Sequence, residues 1–200
     1  MGIYLAIYAL SDGTIERLHT DPPLAWRVMD PELPEREAQA RADRQPQPGF
    51  FARLFKGAKV EPPPPPPPLE LAPGEGDLGP AGDFEKSWHG LHYLLTGMVD
   101  GGEPPLNFLM GGGRELELRD GETPLLTHSS ADTRRIADAL LRLSDEEVRG
   151  RANLAEMNRL EIYPGWDDQN VGNLLEDVRR LRETVSDVAS RGLGLLVSIS

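Results

Sequence analysis

Two histidines three positions apart, His89 and His92, lie on a segment with helical spacing. Imidazole titrates near neutral pH, so such a pair can act as acid and base. It can also hold one metal ion if a third ligand such as Asp167, Asp168 or His128 arrives. The same spacing suits histidines hydrogen-bonded to nearby backbone, and no HExxH motif accompanies them. Asp167 and Asp168 follow Trp166 at the start of a helical stretch. Paired carboxylates there serve catalysis or metal binding, or they cap the helix and face the positive end of its dipole. Asn158, Tyr163 and Trp166 form an aromatic, amide-bearing turn. Rigid aromatics with polar tips suit a ligand pocket, a protein interface or a lid over the core.

Other motifs carry less. Gly111-Gly112-Gly113-Arg114 has backbone N–H groups that can cradle an anion, but it lacks the Walker lysine and the GxGxxG spacing, and a strand connection accounts for it. Ser129 and Ser130 beside His128 resemble a nucleophile with its base, yet no GxSxG elbow surrounds them and helix capping explains both. The chain has no cysteine, which excludes disulfides, thiolate nucleophiles and zinc–cysteine sites. No cofactor is expected.

These residues must be positioned by a chain of 200 residues with a net charge of −12. Residues 61–122 alone carry −9. That balance opposes nonspecific nucleic-acid binding, which needs cations on phosphates, and favours solubility or a basic partner. No apolar run approaches the roughly 18–20 residues that span a bilayer, and no signal peptide is visible, so a cytoplasmic setting is expected. Glycine and proline number 21 and 19, and eleven of the prolines fall in residues 46–82. Pro62 to Pro68 is unbroken; proline fixes φ and lacks an N–H, so this run predicts a polyproline II rod. Residues 31–82 are thus expected to be a largely disordered insertion, dividing one domain into 1–30 and 83–200. Within the insertion, Phe50, Phe51, Leu54 and Phe55 fall on one helical face beside Arg53, Lys56 and Lys59. Such an apolar island finds a partner: its own domain, another protein or a membrane surface.

The remaining pattern predicts an α+β domain with a small mixed or antiparallel sheet. Ile3–Leu10 and Leu193–Ile199 read as buried strands, neighbours in one sheet. Thr14–His19 is a short helix. Phe84, Trp88, Leu91 and Leu95 predict a helix over 84–96, capped by Asp83 and Gly97. Leu106–Met110 and Pro124–His128 read as strands, with a hairpin signal at Asp120-Gly121. Ser129 or Ser130 starts a helix with Ile136, Leu140, Leu141 and Leu143 on its apolar side, and Ser144–Glu147 is a capping box. A last helix, 169–190, carries the stripe Val171, Leu174, Leu175, Val178, Leu181, Val185 and Val188.

Three stretches together resemble one family. They are Trp88-His89-Gly90-Leu91-His92-Tyr93-Leu94-Leu95-Thr96-Gly97, the set Met157-Asn158 with Ile162-Tyr163-Pro164 and Trp166, and the closing helix ending in Leu193–Ile199. With the opening Met1-Gly2-Ile3-Tyr4 strand, this looks like the YfbM-like bacterial family of unknown function, over residues 1–30 and 83–200. The resemblance implies a single α+β domain in a bacterial cytoplasm and no assigned activity. The expected role is a protein-binding module, of which an immunity-type inhibitor of a toxin or effector is one form by analogy. The alternative is a metal-dependent or acid–base enzyme using His89 and His92. A homo-oligomer is left open.

Overall fold

The structure is a computed structural model, and it describes residues 3–30, 32, 36, 81–116 and 125–200. The polyproline run, Phe50, Phe51 and Phe55, and the Asp120-Gly121 turn lie outside the described residues.

The first strand, β1 (Leu5–Leu10), alternates Leu5 and Ile7 on one face with Tyr8 and Leu10 on the other, and all four are buried. Both faces of the sheet are therefore covered. Ser11 ends β1 and caps α1 (Asp12–Thr20) by accepting the Thr14 N–H at 3.1 Å. Helix α2 (Leu24–Met29) follows. Ile15, Leu18, Ala25 and Val28 of these helices cover the face that carries Tyr8, Leu10, Leu116, Leu125 and Leu196.

The next described elements are β2 (Gly82–Glu85) and α3 (Trp88–Thr96). Here the expected helix over 84–96 is corrected. Phe84 stands in the strand, 1% exposed, and the Asp83 carboxylate accepts the Glu85 N–H at 2.9 Å instead of capping a helix. Residues 106–110 are turns rather than a strand, and Asn107, Phe108 and Leu109 are buried in succession. A strand alternates its faces; three consecutive buried residues mark a loop folded into the core.

Strands β3 (Arg114–Leu116) and β4 (Leu125–His128) pair with each other. Next come α4 (Ser130–Arg142), α5 (Asp145–Arg151), α6 (Leu154–Arg159), α7 (Asp168–Ser190) and β5 (Gly194–Ile199). Ser129 caps α4, and Ser144 with Glu147 forms the expected box at α5. Leu141 is 67% exposed, not on the apolar side of α4. The sheet order is β2-β1-β5-β4-β3 and every ladder is antiparallel, with Leu5 opposite Ile199 in the pairing of β1 with β5. Helices α4 and α7 pack on each other and on β5. Leu174, Val178, Leu181, Val185 and Val188 of α7 are buried, as their spacing predicts, whereas Val171 and Leu175 at the edge of the stripe are half-buried. Among the described residues, no helix is long and apolar enough to cross a membrane.

One close approach fixes how β5 meets its neighbours. A Cβ on Gly194 would stand 2.4 Å from the His128 carbonyl oxygen and 2.5 Å from Ile15 Cδ1. Backbone cannot yield as a side-chain tip can. Gly194→Ala is expected to cost about 1–3 kcal/mol, read as a lower urea midpoint at unchanged slope.

Candidate functional site

The histidine helix, the Asn158 segment and the Tyr163–Trp166 turn meet at one place. His89 lies flat on Trp88, with ring centroids 4.8 Å apart, and Tyr163 stacks on the same indole at 6.0 Å. The His89 Nε2 reaches the Val99 carbonyl at 3.0 Å, and the Tyr163 N–H donates to Nδ1 at 3.0 Å. A carbonyl only accepts and an amide N–H only donates. The ring is therefore the neutral tautomer with its proton on Nε2, and it has no lone pair left for a metal ion.

His92 is different. It is fully buried, and neither ring nitrogen has a hydrogen-bond partner. Burial, with the neighbouring His89 adding to it, lowers its pKa to about 4. The two imidazoles thus serve separate places, one bridging two loops and one sealed in the core. Among the described residues, no group of three His, Asp or Glu side chains is placed to hold a metal ion. The geometry gives the acid–base or metal pair no support.

The aromatic turn is clamped rather than open. Asn158 donates from Nδ2 to the Trp166 carbonyl at 2.7 Å and accepts the Trp166 N–H at 2.9 Å. The Trp166 side chain is buried in the core over Gly90, where a Cβ would fall 2.4 Å from Cζ2. Trp88 is half-buried against the same core. Asp167 caps α7, accepting from the Gln169 and Asn170 N–H groups at 3.0 and 2.8 Å, and Asp168 is exposed in the first turn. At the other end of α3, Gly97 takes φ +75°, and Arg151 donates to the Leu94 and Leu95 carbonyls at 2.8 and 2.6 Å. The motif residues are a joint between α3, α6 and α7.

Both serines are likewise engaged, Ser129 as the cap of α4 and Ser130 on Asp12. Ser129 Oγ donates to Asp132 at 2.6 Å, and Ser130 Oγ and N–H both reach the Asp12 carboxylate at 2.7 Å. The glycine run packs closely. A Cβ on Gly113 would lie 2.7 Å from the Thr127 carbonyl oxygen and 2.8 Å from His128 Cε1.

Free polar groups collect elsewhere, in a cleft of about 420 Å³ between the 104–112 loop and α4. Its floor is Phe108, Ile136 and His128, each no more than 2% exposed. His128 Nε2 donates to the Phe108 carbonyl at 2.9 Å, and the Phe108 ring stands edge-on at 6.1 Å. That bond places the proton on Nε2 and leaves Nδ1 as an acceptor. Burial lowers the His128 pKa, so the ring stays neutral at neutral pH. Asn107, 8% exposed, stands in the opposite wall, its Oδ1 without a partner. Asp132, Arg135, Asp138 and Arg142 line the rim, a stripe of alternating sign along α4. Asp132 pairs with Arg135, and its bond from Ser129 leads the groups that lower its pKa. Sequence reading passed over this cleft. The available signal was charge of alternating sign at helical spacing beside the apolar Ile136 and Leu140.

Among curated proteins, none matches this chain. A solved structure titled as a protein of unknown function, YfbM, from Escherichia coli is similar, with a TM-score of 0.60 at 18% identity. The match covers 98% of this chain and 99% of that one, and it shows a shared fold. The family model described as a domain of unknown function, DUF1877, matches residues 1–198, and this chain belongs to that family.

Proposed function

We propose that this domain acts by binding another protein and that the cleft along α4 is its contact surface. The observation that carries the reading is the cleft itself, a buried floor of Phe108, Ile136 and His128 under a line of exposed charges. Interfaces are built this way, with a desolvated pocket for an anchoring side chain and a polar rim around it. The net charge of −12 supports a basic partner, whose encounter it would accelerate. An immunity-type inhibitor of a basic toxin or effector is one form of such a module.

The test fills the cleft. Ala139 lines it and is half-buried, so a tryptophan there occupies the space from the helix side. A protein captured by the wild type from native-host lysate at low salt is expected to be lost by Ala139→Trp at unchanged melting temperature. Capture should also fade as salt rises. A variant that keeps its partner in full would place the contact elsewhere.

A further inference from the structure

We infer that Asp100-Gly101 is a site of covalent modification, where the aspartyl side chain closes on the Gly101 nitrogen and reopens as isoaspartate. Aspartate followed by glycine favours this ring, because no side chain shields the attacking nitrogen. Among the described residues such pairs stand at Asp12-Gly13 and Asp100-Gly101, and the fold treats them oppositely.

Asp100 and Gly101 are exposed in the bend that follows α3. Among the described residues, no hydrogen bond or ion pair holds the Asp100 carboxyl, and no acceptor takes the Gly101 N–H. A Cβ on Gly101 would meet nothing within 4 Å, so the ring and the water that opens it have room. Asp12 is held. Its carboxylate accepts the Ser130 N–H and Oγ–H at 2.7 Å each, and its backbone opens α1. Helical backbone turns the next nitrogen away from the carboxyl. The ring at Asp12 closes only after that turn frays and both bonds break, and each bond to a charged group is worth roughly tenfold.

The step balances within the chain and water. The Gly101 nitrogen attacks Asp100 Cγ, the N–Cγ bond forms, and the amide proton and the carboxyl hydroxyl leave as water. Water then adds to the five-membered imide. Opening at the main-chain carbonyl leaves the chain running through Cβ and Cγ, one methylene longer, with the former main-chain carbonyl as the carboxylate. Opening at Cγ restores aspartate. Nothing is oxidised or reduced.

The added methylene falls in a bend pinned on both sides. The Val99 carbonyl accepts from His89 Nε2 at 3.0 Å, and a Cβ on Gly102 would stand 2.9 Å from Thr96 Cβ. Isomerisation therefore strains the bond between Val99 and His89 at the joint of α3, α6 and α7.

The experiment ages the full chain in warm buffer and maps isoaspartate on its tryptic peptides, using an isoaspartyl methyltransferase with a labelled methyl donor. Product in peptide 87–114 is expected to run about tenfold or more ahead of that in peptide 1–17. The NMR signals of the His89 ring should split as product accumulates. Asp100→Glu keeps the charge at an exposed position but would need a six-membered ring, and it should remove the signal from 87–114. In urea the lead over peptide 1–17 should vanish, because Asp12 loses its bonds. No isoaspartate in 87–114, a signal there that survives Asp100→Glu, or a lead that persists in urea overturns the inference. His89 signals unmoved in a converted sample overturn the step from the bend to the joint.

Discussion

Trp166→Ala is expected to lower the free energy of unfolding by about 3–5 kcal/mol, the usual range for deleting a buried aromatic. The indole is 8% exposed in the main core. It lies over Gly90 of α3 and close to where Leu174 of α7 reaches, so its loss opens a cavity between two helices. The neighbours are held and cannot collapse into the space. Asn158 fixes the Trp166 backbone from both sides, and Asp167 anchors the next residue to α7. Trp166→Phe should cost much less, because the indole Nε1 is buried without a partner and its removal relieves an unmatched donor. A double-mutant cycle tests the contact directly. Gly90→Ala alone should destabilise by about 1–3 kcal/mol through overpacking. In the Trp166→Ala background it should cost nearly nothing, a coupling read from urea melts. Additive costs would show that the indole does not depend on Gly90.

The second large effect is a fall in stability with acid, carried by His92. Its pKa in the folded chain is lowered to about 4, against 6.5 for an ordinary histidine. Below pH 6.5 the unfolded chain takes up the proton and the folded chain does not. Stability is therefore full above pH 6.5 and falls as pH drops toward 4, by roughly 3 kcal/mol over the window. The burial that lowers His19 and His128 acts in the same direction. His92→Leu removes a ring whose two nitrogens are unmatched. It is expected to stabilise at pH 7.5 by about 1 kcal/mol and to flatten the profile between pH 6.5 and 4. Urea melts across that range check both, and a His92→Leu profile parallel to wild type would remove His92 as the cause.

The residues that read correctly from sequence did so because their signals are local. The α7 stripe needs only helical period, Ser129 and Ser144 need only the first turn of their own helices, and Ile7 and Leu195 announce buried strands by composition. Phe84 misled because its spacing from Trp88 matched a helical turn by coincidence, while the hydrogen bonds that make it a strand come from β1. Leu106, Phe108 and Met110 alternate in sequence, yet the loop they form is fixed by partners elsewhere, such as His128 on the Phe108 carbonyl. The roles of His89 and Asn158 depend on Val99, Tyr163 and Trp166, which local spacing does not bring near. The cleft was illegible for the same reason. Its floor joins a loop, a strand end and a helix that only the β3–β4 ladder and the packing of α4 place together.

The sheet's strand order also decides when this fold can form. Its middle strand, β5, is the last of the described strands, and it pairs on one side with the first, Leu5 opposite Ile199. A ladder of such sequence separation carries a high contact order, and its closure entropy must be met before either strand gains a neighbour. During synthesis, β1 emerges before β5 and waits for it while all the residues between them are made. Leu5, Ile7, Tyr8 and Leu10 stay uncovered meanwhile, and α1 and α2 have no finished sheet to lie on. That first strand is where a chaperone that holds short apolar segments of nascent chains would find its grip.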